Sequence, residues 1–183
     1  MPRLIHLNGP SRVGKSTLAH RYGEEHPGTL VLDLDMLAAS VGGWQEDFSA
    51  ALEVARDRGR DLAVRHLLSG HDVVLPQLVT VHDDDPDPAF EEAARTAGAS
   101  YLQIALVVDE DEHLRRLRAK QPTTAVEAHV QSVLEDPAAD LVGRIRRHLD
   151  AYLELRPPAA TIDTTGLTED ASYGRLLQEL RPG

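Results

Sequence analysis

The chain has 183 residues, 42% of them hydrophobic, and no cysteine, enough for one domain with a full core but no disulfides or thiolate metal sites. With 30 acidic side chains against 19 basic ones, the formal net charge is −11, which repels polyanions outside a local basic groove and favours a small-molecule partner over nucleic acid. No apolar run approaches the roughly 20 residues that a spanning helix needs, and the chain enters an apolar strand almost at once without a charged leader, so the expectation is a cytoplasmic protein with no membrane segment.

In chain order, Leu4–Leu7 reads as a short buried strand and GPSRVGKST follows it, Gly9 to Thr17. This is G-x-x-x-x-G-K-[ST], the loop that cradles phosphates in nucleoside-triphosphate enzymes. Gly9 and Gly14 allow backbone turns that aim successive N–H groups at anionic oxygens, with Pro10, Ser11, Arg12 and Val13 between them. Lys15 supplies a mobile cation for the β- and γ-phosphates, and the Ser16 hydroxyl can ligate Mg²⁺. Leu18, Ala19 and Tyr22 continue as a helix to about Glu25, whose positive dipole end faces the same phosphates. The spacing therefore predicts an ATP site with Mg²⁺.

Thr29–Leu34 reads as strand 2, ending in Asp33-Leu34-Asp35. A long helical pattern from Phe48 to Leu67 contains Gly59, which predicts a break between two helices. Strand 3 is Asp72–Leu75, and the loop Gln77–Asp87 carries the acidic tip HDDDPDP. A short helix over Ala89–Ala97, strand 4 over Tyr101–Val108, a basic helix DEHLRRLRAKQ and two further helical patterns follow. Strand 5 is Ala160–Ile162, the turn is DTTGLT, and Thr168 is positioned to cap the last helix. Alternation of strands and helices from end to end predicts one α/β domain over residues 1–183. It has a five-stranded parallel sheet, helices on both faces, and ligands at the carboxyl ends of the strands.

The motif set narrows the class. There is no N-K-x-D guanine-reading motif, strand 3 lacks a terminal acidic pair, and the chain is too short for the extra domain of oligomeric ATPases. A small kinase fits what remains. If strand 2 is still extended at its end, Asp33 and Asp35 share a face. One carboxylate there, Asp35, would take the acceptor's hydroxyl proton, and the other, Asp33, would hold Mg²⁺ through water; otherwise one of them caps the next helix. Arg115, Arg116, Arg118 and Lys120 would form a lid at about 115–137, hinged at Pro122 and Thr123-Thr124, with Arg118 first over the transferring phosphoryl group. Arg144 and Arg147 rank second, and Arg12 would sit beside the phosphates or face solvent. Gln77 and His82 are candidates for acceptor contacts, while Asp83–Asp85 read as a solvated loop. The other histidines lack metal-ligand spacing.

These residues together resemble the small-molecule kinase branch of the P-loop fold, which includes chloramphenicol phosphotransferase, the zeta-toxin and polynucleotide-kinase relatives, and the tunicamycin-resistance ATP-binding protein. LNGPSRVGKST resembles the opening of both resistance proteins, and LDLDML the strand-2 end that carries a catalytic aspartate, with Asp35 the better match. DVVLPQLVTVH and LRRLRAK resemble the strand-3 region and basic lid helix of the tunicamycin protein, implying roles for Arg116, Arg118 and Lys120. IDTTGLT resembles the turn that lies against adenine in small kinases, implying Thr164, Thr165 and Gly166 near the base. HDDDPDP has no counterpart, and the segment with Arg144, Arg146 and Arg147 looks more like a nucleotide-kinase helix.

The resulting expectation is an ATP- and Mg²⁺-dependent phosphotransferase acting on a hydroxyl of an antibiotic, other natural product or nucleoside-like molecule, as monomer or homodimer. The alternatives are a kinase of nucleic-acid ends or nucleotide-sugars, and a non-catalytic ATP-binding resistance protein that sequesters its ligand.

Overall fold

The computed structural model describes residues 1–79, 88–119, 121–134 and 141–181. Five strands form one parallel sheet: β1 (Arg3–Asn8), β2 (Leu30–Val31), β3 (Val73–Leu75), β4 (Ser100–Val107) and β5 (Ala160–Asp163), in the spatial order β2-β3-β1-β4-β5. The order reverses at β1, so the chain leaving β1 stands at the point where the crossovers diverge, where open α/β sheets bind ligands.

Side-chain alternation along β1 sorts the core into two layers. Ile5 and Leu7 face one side and join Leu18, Ala19 and Tyr22 of α1 (Lys15–Glu25) with Tyr173 and Leu176 of α8 (Glu169–Glu179). Leu4 faces the other and joins Val73, Leu75, and the long helix α3 (Phe48–Leu68) through Ala63 and Leu67, with Ala94 of α4 (Ala89–Thr96). Thr168 caps α8 by accepting from Ala171 N at 3.2 Å, as the sequence predicts. The remaining helices are α2 (Leu34–Ala38), α5 (Glu110–Ala119), α6 (Ala125–Leu134) and α7 (Leu141–Leu155).

Two expectations are corrected. Strand 2 does not run to Leu34: β2 ends at Val31, Leu32 N still bonds Val74 O, and the chain turns into α2 at once. The Asp33 side chain accepts from the N–H groups of Asp35 and Met36 at 3.0 and 3.1 Å, a helix cap that outcompetes the extended conformation. Gly59 does not break α3 either, which is continuous over 21 residues. A Cβ at Gly59 would stand 2.6 Å from Leu34 Cδ2 and 3.7 Å from Phe90 Cζ, so the missing side chain lets α3 pack directly onto α2 and α4. Gly59→Ala should therefore lower stability by about 1–2 kcal/mol in urea denaturation, overpacking outweighing the gain in helix propensity; a stabilised variant would contradict this packing.

Candidate active site

The loop between β1 and α1 is fixed from several sides. Gly9 has φ +154, and a Cβ there would stand 2.4 Å from the backbone oxygen of Leu106, so the loop leaves β1 pressed against β4 in a way only glycine permits. Asn8, fully buried, accepts from Gly9 N at 2.8 Å and Val79 N at 2.9 Å and donates to Val79 O at 3.1 Å, tying the loop to the chain beyond β3. Val13 is buried in the core. The His113 ring of α5 bonds Ser11 O through Nε2 at 2.8 Å. Gly14, φ +108, starts α1. Lys15 Nζ donates to Gly9 O at 2.8 Å and Pro10 O at 2.9 Å, so the cation folds back over its own loop. Burial, the largest cause, pulls its pKa down to about 8, against the fields of Asp35 and Asp33. Lys15, Ser16 and Thr17 all line the same cavity.

That cavity, about 1600 Å³, spans the loop, α2, the start of α3, the segment after β3, and helices α5 to α7. Asp33 and Asp35 both line it. The cap uses only Oδ1 of Asp33. Asp35, half-buried in the first turn of α2, has its pKa raised by burial first and by Asp33 second, with Lys15 and Arg56 opposing. A carboxylate made more basic by burial, in a cavity beside a lysine, is suited to accept a proton.

The lid residues divide. Arg115 and Arg116 line the cavity, whereas Arg118 is exposed on α5 and lies outside the lining, so the structure does not place it first. The helical turn decides this: Arg116 points to the strand-5 turn, donating to Thr164 Oγ1 at 3.0 Å and Thr164 O at 2.7 Å, while its Nε meets Glu112 at 2.9 Å. Thr164 is buried by its own bonds to Val107 O, Thr165 Oγ1 accepts from Asp109 N at 2.9 Å, and Gly166 has φ +66. These three turn residues do not line the cavity themselves; Arg116 connects them to it. Thr123 and Thr124 begin α6 as a capped start, with Glu127 N donating to Thr124 Oγ1 at 3.1 Å and Glu127 Oε2 accepting from Thr123 N. Arg144 lines the cavity from α7. Arg12, the one non-glycine residue with positive φ among the described residues, reaches Glu127 Oε1 at 3.4 Å and Gln131 Oε1 at 3.3 Å, so it binds the lid rather than facing solvent. Lys120, His82 and Asp83–Asp85 lie outside the described residues.

Gln77, buried beyond β3, lines the cavity, and its carbonyl accepts from His6 Nε2 at 2.9 Å. Because a carbonyl only accepts, Nε2 carries the hydrogen, and Nδ1 accepts a hydrogen bond from the Tyr101 hydroxyl at 2.7 Å. Burial lowers the His6 pKa to about 4, so this histidine is neutral and positions the segment. Sequence reasoning missed Asn8, His6 and His113, since each acts through a partner about 70 to 100 residues away. It also missed the group of Trp44, Phe48 and His129, whose ring centroids lie 5.3 to 6.3 Å apart and which joins α6 to the start of α3. The only signal available was the aromatic pair four residues apart.

The parallel sheet, the glycine-bounded loop and the helical lid place the chain in the P-loop kinase fold. The chain belongs to the AAA domain family AAA_33, whose family model matches residues 4–138. No curated protein sequence matches it significantly. Among solved structures it is similar to a candidate kinase from Chloroflexus aurantiacus (20% identity, TM-score 0.62, covering 98% of this chain and 96% of that one). It is also similar to shikimate kinase from Bacteroides thetaiotaomicron (18%, 0.59, 97% and 97%) and to the tunicamycin resistance protein of Deinococcus radiodurans (21%, 0.55, 98% and 94%). At these identities the likeness establishes the fold, and it includes one of the resistance proteins that the sequence resembles. No helix among the described residues is long and apolar enough to cross a membrane.

The Lys15 shift has a measurable consequence. A triphosphate prefers the protonated lysine, whose folded-state pKa of about 8 means that the cation is present at pH 7 and lost as pH rises through 8. The ATP dissociation constant should therefore rise roughly tenfold between pH 7 and pH 9 by calorimetry. A Lys15→Met variant should flatten that dependence, and an equal slope in both proteins would remove Lys15 as its source.

Proposed function

We propose that the protein is an ATP- and Mg²⁺-dependent phosphotransferase that moves the γ-phosphoryl group of ATP to a hydroxyl of a small molecule. The observation that carries this reading is the placement of Asp35 and the phosphate loop on one cavity, with Lys15 and Asp35 close enough to shift each other's pKa. The loop amides and Lys15 bind the triphosphate, and the open N–H groups of the first turn of α1 add the favourable end of its dipole.

Mg²⁺ needs hard oxygen donors and keeps several waters. No cluster of three or more histidine, aspartate or glutamate side chains suited to a metal occurs among the described residues. A hydroxyl at Ser16 and the second oxygen of Asp33 fit an ion held mainly by phosphate and water, which would neutralise charge on the phosphate oxygens. Asp35 accepts the proton of the acceptor hydroxyl as its oxygen bonds the γ-phosphorus; the bond to the β,γ-bridging oxygen breaks, and ADP leaves. Arg115 and Arg116 supply positive charge from the lid side, in place of Arg118. Thr164, Thr165 and Gly166, tied to Arg116, support the adenine end.

Asp33, Asp35, Glu46 and Asp47 all line the cavity, and this cluster of carboxylates supports a small molecule over a polynucleotide. Asp35→Asn should bind ATP with near-normal affinity and lose roughly 10²- to 10⁴-fold in turnover. Because the folded protein raises the Asp35 pKa, its ionised form destabilises the fold above that pKa. The variant should thus melt at the same or higher temperature than the wild type at pH 7, and that difference should shrink as pH falls and Asp35 becomes protonated. Retained turnover measured by product mass spectrometry would exclude Asp35 as the base.

A further inference from the structure

One cation in the acceptor half of the cavity has no part in the phosphoryl-transfer chemistry. Arg56, half-buried on α3, lines the cavity, and no ion pair or hydrogen bond to it is formed among the described residues. Its charge is felt at Asp35, where it opposes the upward shift. The other acids nearby are engaged or exposed: Asp33 Oδ1 caps α2, Asp47 Oδ1 caps α3 by accepting from Ala50 N at 2.9 Å, and Glu46 is exposed.

The surrounding wall is apolar. Met36 is 52% exposed although it lines a cavity, and Phe48, Leu52, Leu78 and Phe90 line the same space half-buried. Apolar side chains left accessible in a cavity gain free energy when a ligand covers them, and a methionine adapts to the shape of what arrives. Covering them also removes water from Arg56. A guanidinium desolvated without an anionic partner is strongly unfavourable. Asp35 cannot remain that partner through the reaction, because it becomes neutral when it takes the acceptor's proton.

Resting on the phosphotransferase reading above, we propose that the acceptor is an amphipathic alcohol, with an apolar ring or chain against Met36, Phe48, Leu52, Leu78 and Phe90 and an oxyanion paired with Arg56. The planar fork of the guanidinium suits a carboxylate or a phosphate in two parallel hydrogen bonds.

Trp44 is the chain's single tryptophan, and its ring centroid lies 6.3 Å from that of Phe48, so its fluorescence reports on this wall. The test titrates the protein, saturated with magnesium and AMPPNP to prevent turnover, with matched compounds. These are 3-phenyllactate and its methyl ester, uridine 5′-monophosphate and uridine, and glycerate as an oxyanion without an apolar body. The oxyanion member of at least one pair should bind at least tenfold more tightly than its neutral partner, and glycerate at least tenfold more weakly than that member. The first pair responding assigns a carboxylate, the second a phosphate. Arg56→Met should erase the preference and Arg56→Lys should keep part of it, with circular dichroism confirming that both fold; if neither folds, the wild-type pairs alone decide. Equal binding within both pairs, no saturation by any of the five at millimolar concentration, or a preference unchanged in Arg56→Met would overturn the proposal. ATP binding by calorimetry is read separately, so its absence would count against phosphoryl transfer and not against this acceptor class.

Discussion

The contact between Gly9 and the backbone oxygen of Leu106 governs the rest of the site. With room for no more than a hydrogen at that Cα, the chain leaves β1 flush against β4, the longest strand of the sheet. The loop then turns over the sheet's carboxyl edge, where α1 can begin with its dipole toward the cavity. Asn8 extends the same constraint sideways, because one buried amide joins the loop to Val79, in the segment that follows β3. The loop after β1 and the segment after β3 are thus parts of one hydrogen-bonded unit, and a displacement of either would leave buried polar groups unpaired.

Charge is arranged against the trend of the whole chain. A net charge of −11 surrounds a cavity lined by Arg12, Lys15, Arg56, Arg115, Arg116 and Arg144 as well as acids. Apart from Glu127 on α6, the acids stand at α2 and the start of α3, while Arg115, Arg116 and Arg144 come from α5 and α7. Such separation suits a transfer in which a polyanion enters from one side and a neutralising carboxylate waits on the other. Lys15, lowered by burial and raised by Asp35 and Asp33, sits where these two fields meet.

The sequence exposed the local devices well. The phosphate loop is contiguous, the alternation of strands and helices is periodic, and the Thr168 cap depends on three neighbouring residues; all are properties of short segments. The Asp33–Asp35 pair was ambiguous for a physical reason: Asp-x-Asp after an apolar run satisfies both a strand end and a helix cap, and the cap wins because Asp33 gains two backbone donors. Gly59 misled because its cause is nonlocal, a contact with Leu34 across two helices. The choice between Arg116 and Arg118 turned on helix phase, two positions being about half a turn apart, and the phase was set by Thr164, nearly 50 residues away. His6, Asn8 and His113 carry no motif at all, since each is defined by a backbone carbonyl or N–H that the fold brings to it.

α6 touches both halves of the cavity at once. Glu127 and Gln131 hold Arg12 of the phosphate loop, and His129, between them in sequence, packs on Phe48 and Trp44 at the acceptor wall. Glu127 also closes the helix start at Thr123 and Thr124, so the cap of α6 and its grip on the loop share one carboxylate. Arg12 keeps its left-handed backbone while making this contact, a conformation that is costly for an arginine and that the loop's other constraints sustain. A helix with one face on the nucleotide loop and the next on the acceptor wall cannot move without changing both contacts.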